Sequence, residues 1–370
     1  MNNSLLFSRE IGGDNISEAI DDGLEALKLG FDLVWVPDHL VDIQPVFAIY
    51  DAWTVLAYLG AKTSKLRLGS GVTDIQRIHP AKTANIVSTL DNLTRGRAVL
   101  GIGAGEIMNT VPYGIKWEEK SIRIERLREY LEVIELLWSS SYENPKTFTG
   151  KYYTLKQAHL SLPPIHKPRP PIYIGAFSSK AMLRLAGELA DGWYPGSVNS
   201  VRAFSQKVET IKKSAKGAGR SPDEMDIIAS IPTFVCFNES EIALARREAK
   251  QAIKREMMTN RYIFKAVGLE KFLDSDAQRE LEYQHATPGK EFDRSLELAI
   301  QRLSIADEVL ERVLDDTMAI GTADQCVSSI ERFVRAGATH IFFSNTGGTR
   351  ENYSRIGECI IPELRSRITG

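Results

Sequence analysis

The chain has 370 residues, 43% of them hydrophobic, enough to bury a large core as two ordinary domains or as one barrel with insertions. Its 46 Lys and Arg stand against 48 Asp and Glu; the net charge of -2 gives no electrostatic reason for nucleic acid or an acidic membrane as partner and favours small-molecule chemistry. The cysteines (Cys236, Cys326, Cys359) are far apart in sequence and the histidines (His39, His79, His159, His166, His285, His340) lack metal-binding spacings, so we expect neither a zinc cluster nor a redox pair.

The first residues, Met1 to Glu10, carry no basic region followed by a long apolar one. No apolar run approaches the roughly 18 residues of a membrane span, and we expect a cytoplasmic protein without a membrane partner. Leu5 to Phe7 reads as a first strand, followed by a helix whose Ile16, Ile20, Leu24 and Leu27 share one face and which stops at Gly30. Leu33 to Val36 is a buried strand running into Pro37-Asp38-His39, which sets a carboxylate and an imidazole at its carboxyl end. Helix Asp51 to Ala61, strand Leu66 to Val72 and helix Ala81 to Leu93 follow, then strand Ala98 to Ile102 and a helix in which Leu127, Tyr130, Leu131, Ile134 and Leu137 recur at three and four.

Such alternation predicts a parallel sheet. Tyr142 to Leu155 interrupts it with turn-rich, aromatic sequence that reads as a hairpin, and a proline-dense segment leads to strand Ile172 to Ile174. Helix Ser179 to Ala190, strand Gly192 to Tyr194, helix Val201 to Ala218 and strand Ile227 to Phe237 continue the pattern. Glu239 to Arg312 is charged helix and irregular sequence, longer than a standard crossover, before helix Gln325 to Ala336, strand His340 to Phe343 and helix Arg350 to Ser366 close the chain. Eight strands with about as many helices predict a (β/α)8 TIM barrel, a fold of about 250 residues before insertions. We expect one such domain, with an inserted hairpin at 142–158 and a helical insertion at 239–316 carrying a lid or an interface. The carboxyl ends of the strands then bring Asp38-His39, Ser70 to Val72, Gly103 to Asn109, Gly175 to Ser179 and Asn345 to Gly348 to one cavity.

The most distinctive stretch is Gly96 to Asn109. The run Ala98 to Ile102 is too short for a helix and ends in Gly-Ile-Gly-Ala-Gly, whose glycines let backbone approach a bound ligand closely; Glu106 then brings a carboxylate to the rim. Gly101 and Gly103 have the first spacing of a dinucleotide fingerprint, but Glu106 stands where the third glycine belongs, and the match fails. A glycine-rich strand-to-loop turn without ligand remains the alternative.

Trp35-Val36-Pro37-Asp38-His39-Leu40, Leu68 to Asp74, His79-Pro80-Ala81, Thr89-Leu90-Asp91 to Gly96-Arg97-Ala98, Gly101 to Glu106 and Ile174-Gly175-Ala176 together resemble the bacterial luciferase-like superfamily, in its branch using the deazaflavin coenzyme F420. Thr94 to Arg97, with Pro112 to Trp117, is most similar to the phthiodiolone ketoreductase group; Leu183 to Gly192 and Gly321 to His340 are also similar to methylenetetrahydromethanopterin reductase. The resemblance implies an enzyme moving a hydride between coenzyme F420 and a carbonyl or alcohol. Alternatives are a methylene-tetrahydropterin reductase, an FMN-dependent monooxygenase and a non-catalytic deazaflavin-binding protein. We expect a small-molecule substrate and a homo-oligomer, dimer or tetramer.

By the same resemblance, His39 and Glu106 are the catalytic imidazole and carboxylate. Asp38, Ser70, Gly71, Val72, Asn109, Gly175, Ala176, Phe177, Ser178 and Ser179 contact the cofactor, and the Gly71–Val72 bond is a non-prolyl cis peptide forming a bulge behind the ring. The amides and hydroxyls of Ala176 to Ser179 at a helix amino end suit its phosphate, though a serine there also serves as a plain cap. Trp53 and Trp117 are candidate substrate-pocket walls or ordinary core and rim aromatics, and His79 supports the third loop. The loop Pro195 to Ser200 carries no cation, where related sugar-phosphate dehydrogenases place a lysine, so we expect a substrate other than glucose 6-phosphate. Arg255, Arg261 and Lys265 either meet an acidic group or form a solvated helix face.

Overall fold

A computed structural model of the protein describes residues 5–41, 48–272, 286, 288–344 and 349–369; the expectations for Asn345 to Gly348 and His285 lie outside them. The chain begins β1 (Leu6–Glu10), α1 (Ile16–Lys28), β2 (Leu33–Val36), α2 (Ala52–Lys62), β3 (Arg67–Ser70), β4 (Thr73–Asp74), α3 (Pro80–Thr94), β5 (Ala98–Gly103) and α4 (Lys120–Trp138). An antiparallel hairpin, β6 (Lys146–Thr149) and β7 (Thr154–Ala158), precedes β8 (Ile172–Gly175), α5 (Lys180–Leu189), β9 (Gly192–Tyr194), α6 (Val201–Gly217) and β10 (Asp226–Ser230). The last part holds β11 (Thr233–Val235), α7 (Glu239–Thr259), α8 (Tyr262–Ala266), α9 (Lys290–Arg302), α10 (Asp307–Thr317), β12 (Ala319–Gly321), α11 (Ala323–Arg335), β13 (His340–Phe343), α12 (Arg350–Arg355) and α13 (Ile361–Thr369).

Parallel pairing runs β1–β2–β3–β5–β8–β9–β10–β13 and returns to β1, so the sheet closes into a (β/α)8 barrel. Closure leaves no edge, and the strands read as continuous apolar runs because both faces are covered. The outer faces meet the helices in one large core that includes Phe7, Val34, Leu68, Leu100, Ile174 and Ile341; a smaller cluster of Leu33, Trp35, Val99, Tyr173, Tyr194, Ile228 and Phe342 fills the interior. Arg97 braces the wall from outside: its guanidinium donates to the carbonyls of Thr94, Leu66, Gly60 and Thr63 at 2.6–2.8 Å.

Two expected elements differ. Ile227 to Phe237 is not one strand, because Pro232 has no N–H to donate and the ladder stops at Ser230; β11 beyond it pairs with β12 in a separate two-stranded parallel sheet. Arg350 to Ser366 is not one α-helix. A π-helical turn, Ile356–Ile360, separates α12 from α13 just before Pro362, which also lacks the donor an α-helical ladder needs.

Helices α7 to α10 carry their own apolar core, with Ile253, Met257, Phe264, Phe292, Leu296 and Leu314 at its centre. Ion pairs from Arg246 to Glu311 and Asp315, at 2.5 and 2.6 Å, and from Lys250 to Asp307 at 2.8 Å tie α7 to α10. Arg255 pairs with Glu297 on α9, and Arg261 lies over the Tyr262 ring. Folding also brings Cys236 and Cys326 together, against their separation in sequence: both thiols donate to the Phe234 carbonyl, and burial pushes Cys326 up to about 12, which makes it a poor nucleophile.

Candidate active site at the barrel mouth

β3 stops at Ser70, the Gly71–Val72 bond is cis, and the strand resumes as β4. Ser70 Oγ donates to the Gly101 carbonyl at 2.8 Å. A Cβ built on Gly101 falls well inside contact with the Ser70 carbonyl oxygen, and those built on Gly103 and Gly175 lie 3.1 Å from Val72 Cγ2. Gly101, Gly103 and Gly175 therefore make room for the bulge and its valine. Beneath the bulge, Gly71 rests on Trp35 and the Tyr194 hydroxyl. The Tyr194 phenol donates to Glu10, and burial raises it far above its ordinary value.

His39 and Glu106 meet across the mouth, Nδ1 to Oε2 at 3.8 Å. Asn109 is buried behind His39 and makes a fixed fork: its Oδ1 accepts the Leu40 amide at 2.8 Å and its Nδ2 lies 2.6 Å from His39 Nδ1. Because the Leu40 amide can only donate, Oδ1 must face it and Nδ2 must face the ring; Nδ1 then accepts, and the proton of the neutral imidazole sits on Nε2. Asn109 thus serves the histidine, a partner not visible in a sequence that separates the two widely. Glu106 is the amino cap of a 3-10 turn, Ile107–Asn109, yet makes no side-chain capping bond. Its carboxylate is 53% exposed against 22% for the His39 side chain, so it reaches solvent as well as the imidazole.

Asp38, buried beside His39, is bound to Arg77. Its Oδ1 pairs with Arg77 at 3.0 Å, and its carbonyl also accepts from Arg77. Arg77 Nε lies 3.8 Å from Asp74 Oδ2. Asp74 in turn accepts from the Gln76 amide at 2.6 Å and the Glu106 amide at 3.4 Å. Burial raises the Asp74 carboxyl above its ordinary value, with Arg77 and the two amides pulling the other way. Neither Arg77 nor Asp74 stood out as a site residue in the sequence, although Asp74 ends the third-strand motif and Arg77 follows three residues later. His79, next in that loop, caps α3 through Nδ1 and stands edge-on to Tyr153.

At the β8 end, the Ala176 amide bonds the Tyr194 carbonyl at 3.0 Å and the Ala176 carbonyl accepts from Trp193 Nε1 at 2.8 Å, so this amide is not open to a ligand as expected. The next turn is open. Ser179 is the amino cap of α5 without a side-chain capping bond, and the first-turn amides point outward as they do at any helix start. Phe177 packs against Gly196, whose positive φ of 69° lets the β9 loop approach it.

Trp117 lies under the Arg123 guanidinium at 3.7 Å, and Arg123 donates to the carbonyls of Ala104 and Gly105 at 3.3 and 3.2 Å, joining this rim aromatic to the loop of Glu106. Trp53 instead lies in the large core between barrel and helices. In the β9 loop, Ser197 donates to Glu256 of α7 at 2.5 Å, and burial raises that carboxyl. An acid therefore stands at the loop expected to lack a cation.

A family model described as luciferase-like monooxygenase matches residues 6–340. An F420-dependent glucose-6-phosphate dehydrogenase from Microbacterium testaceum is 30% identical over 95% of this chain and 94% of its own. A phthiodiolone/phenolphthiodiolone dimycocerosates ketoreductase from a Mycobacterium species is 33% identical over 64% of each chain. Among solved structures, the coenzyme F420-dependent tetrahydromethanopterin reductase from Methanopyrus kandleri superposes with a TM-score of 0.77 at 24% identity, covering 98% of this chain and 99% of that one. With a family model spanning the barrel from its first strand to its last, and a relative matched almost end to end, the chain belongs to the luciferase-like monooxygenase family.

Proposed function

We propose that this protein is a coenzyme F420-dependent oxidoreductase, moving a hydride between the deazaflavin and a carbonyl or alcohol carbon of a small molecule. The observation that carries this reading is the pairing of His39 and Glu106 at 3.8 Å over a bulged third strand, in a chain related end to end to an enzyme named for F420. The residues fit that cofactor. Val72, held up by the glycines around it, gives a flat ring an apolar back wall, and the uncapped start of α5 at Phe177, Ser178 and Ser179 suits the phosphate of its tail. When bound, the deazaflavin supplies a hydride carrier, since carbon replaces the ring nitrogen of a flavin.

The chain's own groups handle protons. In carbonyl reduction, negative charge develops on oxygen; with a second proton on Nδ1, facing Glu106, His39 is an imidazolium that gives its Nε2 proton to that oxygen and is left neutral. Glu106 exchanges protons at the ring side with solvent; in alcohol oxidation the two reverse roles. The loop Pro195 to Ser200 sets Ser197 against Glu256 where related sugar-phosphate dehydrogenases place a lysine, and this favours a substrate other than glucose 6-phosphate. The barrel acts as one domain carrying α7 to α10 as an insertion, and the protein assembles as a homo-oligomer, which light scattering tests. No helix among the described residues is long and apolar enough to cross a membrane.

A fluorescence titration tests the reading: tight deazaflavin binding, weak FMN binding and no oxygen consumption with reduced cofactor are expected, and glucose 6-phosphate should not turn over. The reverse preference with oxygen uptake identifies a flavin monooxygenase instead. Tight deazaflavin binding without turnover on a broad panel of carbonyls, alcohols and pterins identifies a binding protein.

A further inference from the structure

Arg77 lies beyond β4, in the loop before α3, and its side chain is 13% exposed. One face of its guanidinium holds Asp38, both at the carboxylate, 3.0 Å away, and at the carbonyl whose peptide bond leads directly into His39. The Nε edge faces the Asp74 carboxylate, which accepts the amide of Glu106. Gly105 has a φ of +97°, and a Cβ there would sit 2.8 Å from Asp74 Oδ1, so the backbone before Glu106 can come this close to Asp74 only as glycine.

We propose that Arg77 is a positioning residue that sets His39 and Glu106 relative to one another, acting through Asp38 on one and Asp74 on the other. A planar fork with several donors suits this: it bonds the Asp38 carboxylate and carbonyl while its Nε edge, without a hydrogen bond of its own, faces Asp74 as a charge pair at 3.8 Å, an arrangement the single point charge of a lysine does not reproduce. The role rests on the proposed catalytic function of His39 and Glu106. Small displacements of such groups lower the chemical step without weakening cofactor binding, which separates positioning from contact.

The experiment compares Arg77→Lys in wild type with Arg77→Lys in a His39→Ala/Glu106→Gln background. In wild type, kcat should fall by roughly 10²-fold with deazaflavin Kd and substrate KM within about three-fold. In the double-variant background, the further loss should be under about three-fold, because the groups being positioned are gone. Amide hydrogen exchange supplies a readout without turnover: residues 38–41 and 105–107 should lose protection together in Arg77→Lys while the melting temperature stays within a few degrees. Unchanged kcat, an equally large loss in both backgrounds, or a protection loss confined to one of the two loops would overturn the proposal. Arg77→Gln combined with Asp38→Asn and Asp74→Asn guards against misfolding from unpaired buried charge; a wild-type kcat in that triple variant also overturns it. If His39→Ala/Glu106→Gln itself turns over at the wild-type rate, it is the functional reading that fails.

Discussion

At the amino end of the barrel, Tyr173 donates to Asp226, Arg67 stands 4.0 Å from the same carboxylate, and His340 is 2.7 Å from Ser8, which also accepts from Trp35 Nε1. At the carboxyl end, His39 and Glu106 have Asn109, Arg77 and Asp74 behind them, yet both side chains stay partly exposed. Both ends use carboxylates, an imidazole, a guanidinium and hydroxyls. The difference lies in where the partners stand. At the closed end the charged and polar groups face one another, with His340 Nδ1 left without a hydrogen-bond partner, and at the open end Asn109, Arg77 and Asp74 stand behind two side chains that remain partly exposed. Loss of a residue at one end should therefore appear as stability, and at the other as turnover.

The largest expected contrast is in acid. Burial and the nearby Arg67 hold His340 down to about 3, so it stays neutral in the folded chain while the unfolded chain takes up a proton below the ordinary 6.5. Stability present above pH 6.5 is thus lost as pH falls toward 3, by on the order of 5 kcal/mol for this residue. Urea melts at pH 7 and pH 4 should show a steeper loss in wild type than in His340→Gln; parallel losses would remove His340 from the account. Next comes His39→Ala, which should lower turnover by about 10²-fold while deazaflavin affinity stays within a few-fold and the melt is unmoved. A melting point lowered in step with the rate would make His39 a structural residue and blur the contrast.

Tyr173→Phe is the mirror experiment. It leaves the half-buried Asp226 carboxylate without its hydroxyl donor, at a cost of about 1 kcal/mol, and kcat per folded molecule should not change. The smallest expected effect on stability is Ser179→Ala, within about 0.5 kcal/mol, since its hydroxyl caps nothing; a loss near the usual cap value of about 1 kcal/mol would show that the hydroxyl does cap the helix in solution. The same substitution should weaken deazaflavin binding measurably.

The strands of the barrel were legible because each is a short buried run between turn signals, and the helices because their apolar residues recur at helical spacing. Legibility stopped where partners were distant. Nothing near Asn109 indicates that it faces His39, and nothing near Arg77 names Asp38. The Ile227–Phe237 run looked continuous because the apolar pattern outweighed Pro232, and β12 has too few residues to carry a period of its own. The Gly-Ile-Gly-Ala-Gly run was conspicuous, but composition alone did not distinguish room for a ligand from room for a neighbouring strand. Thr94 to Arg97 marked the family, while Arg97 proves to be a brace for backbone carbonyls at the other end of the wall.

The seat of Val72 also bears on how such a chain diversifies. A side chain at Gly101 meets the Ser70 carbonyl, backbone that cannot swing aside, so the bulge and this glycine can change only together. Leu40, Val111 and Tyr113, exposed beside the anchored turn of Asn109, are under no such tie. Single replacements at the rim meet no backbone, whereas a side chain at Gly101 needs the bulge to move with it, and a chain that changes one without the other packs poorly. A lineage built on this barrel can therefore vary its rim by small steps and lose its bulged third strand only rarely.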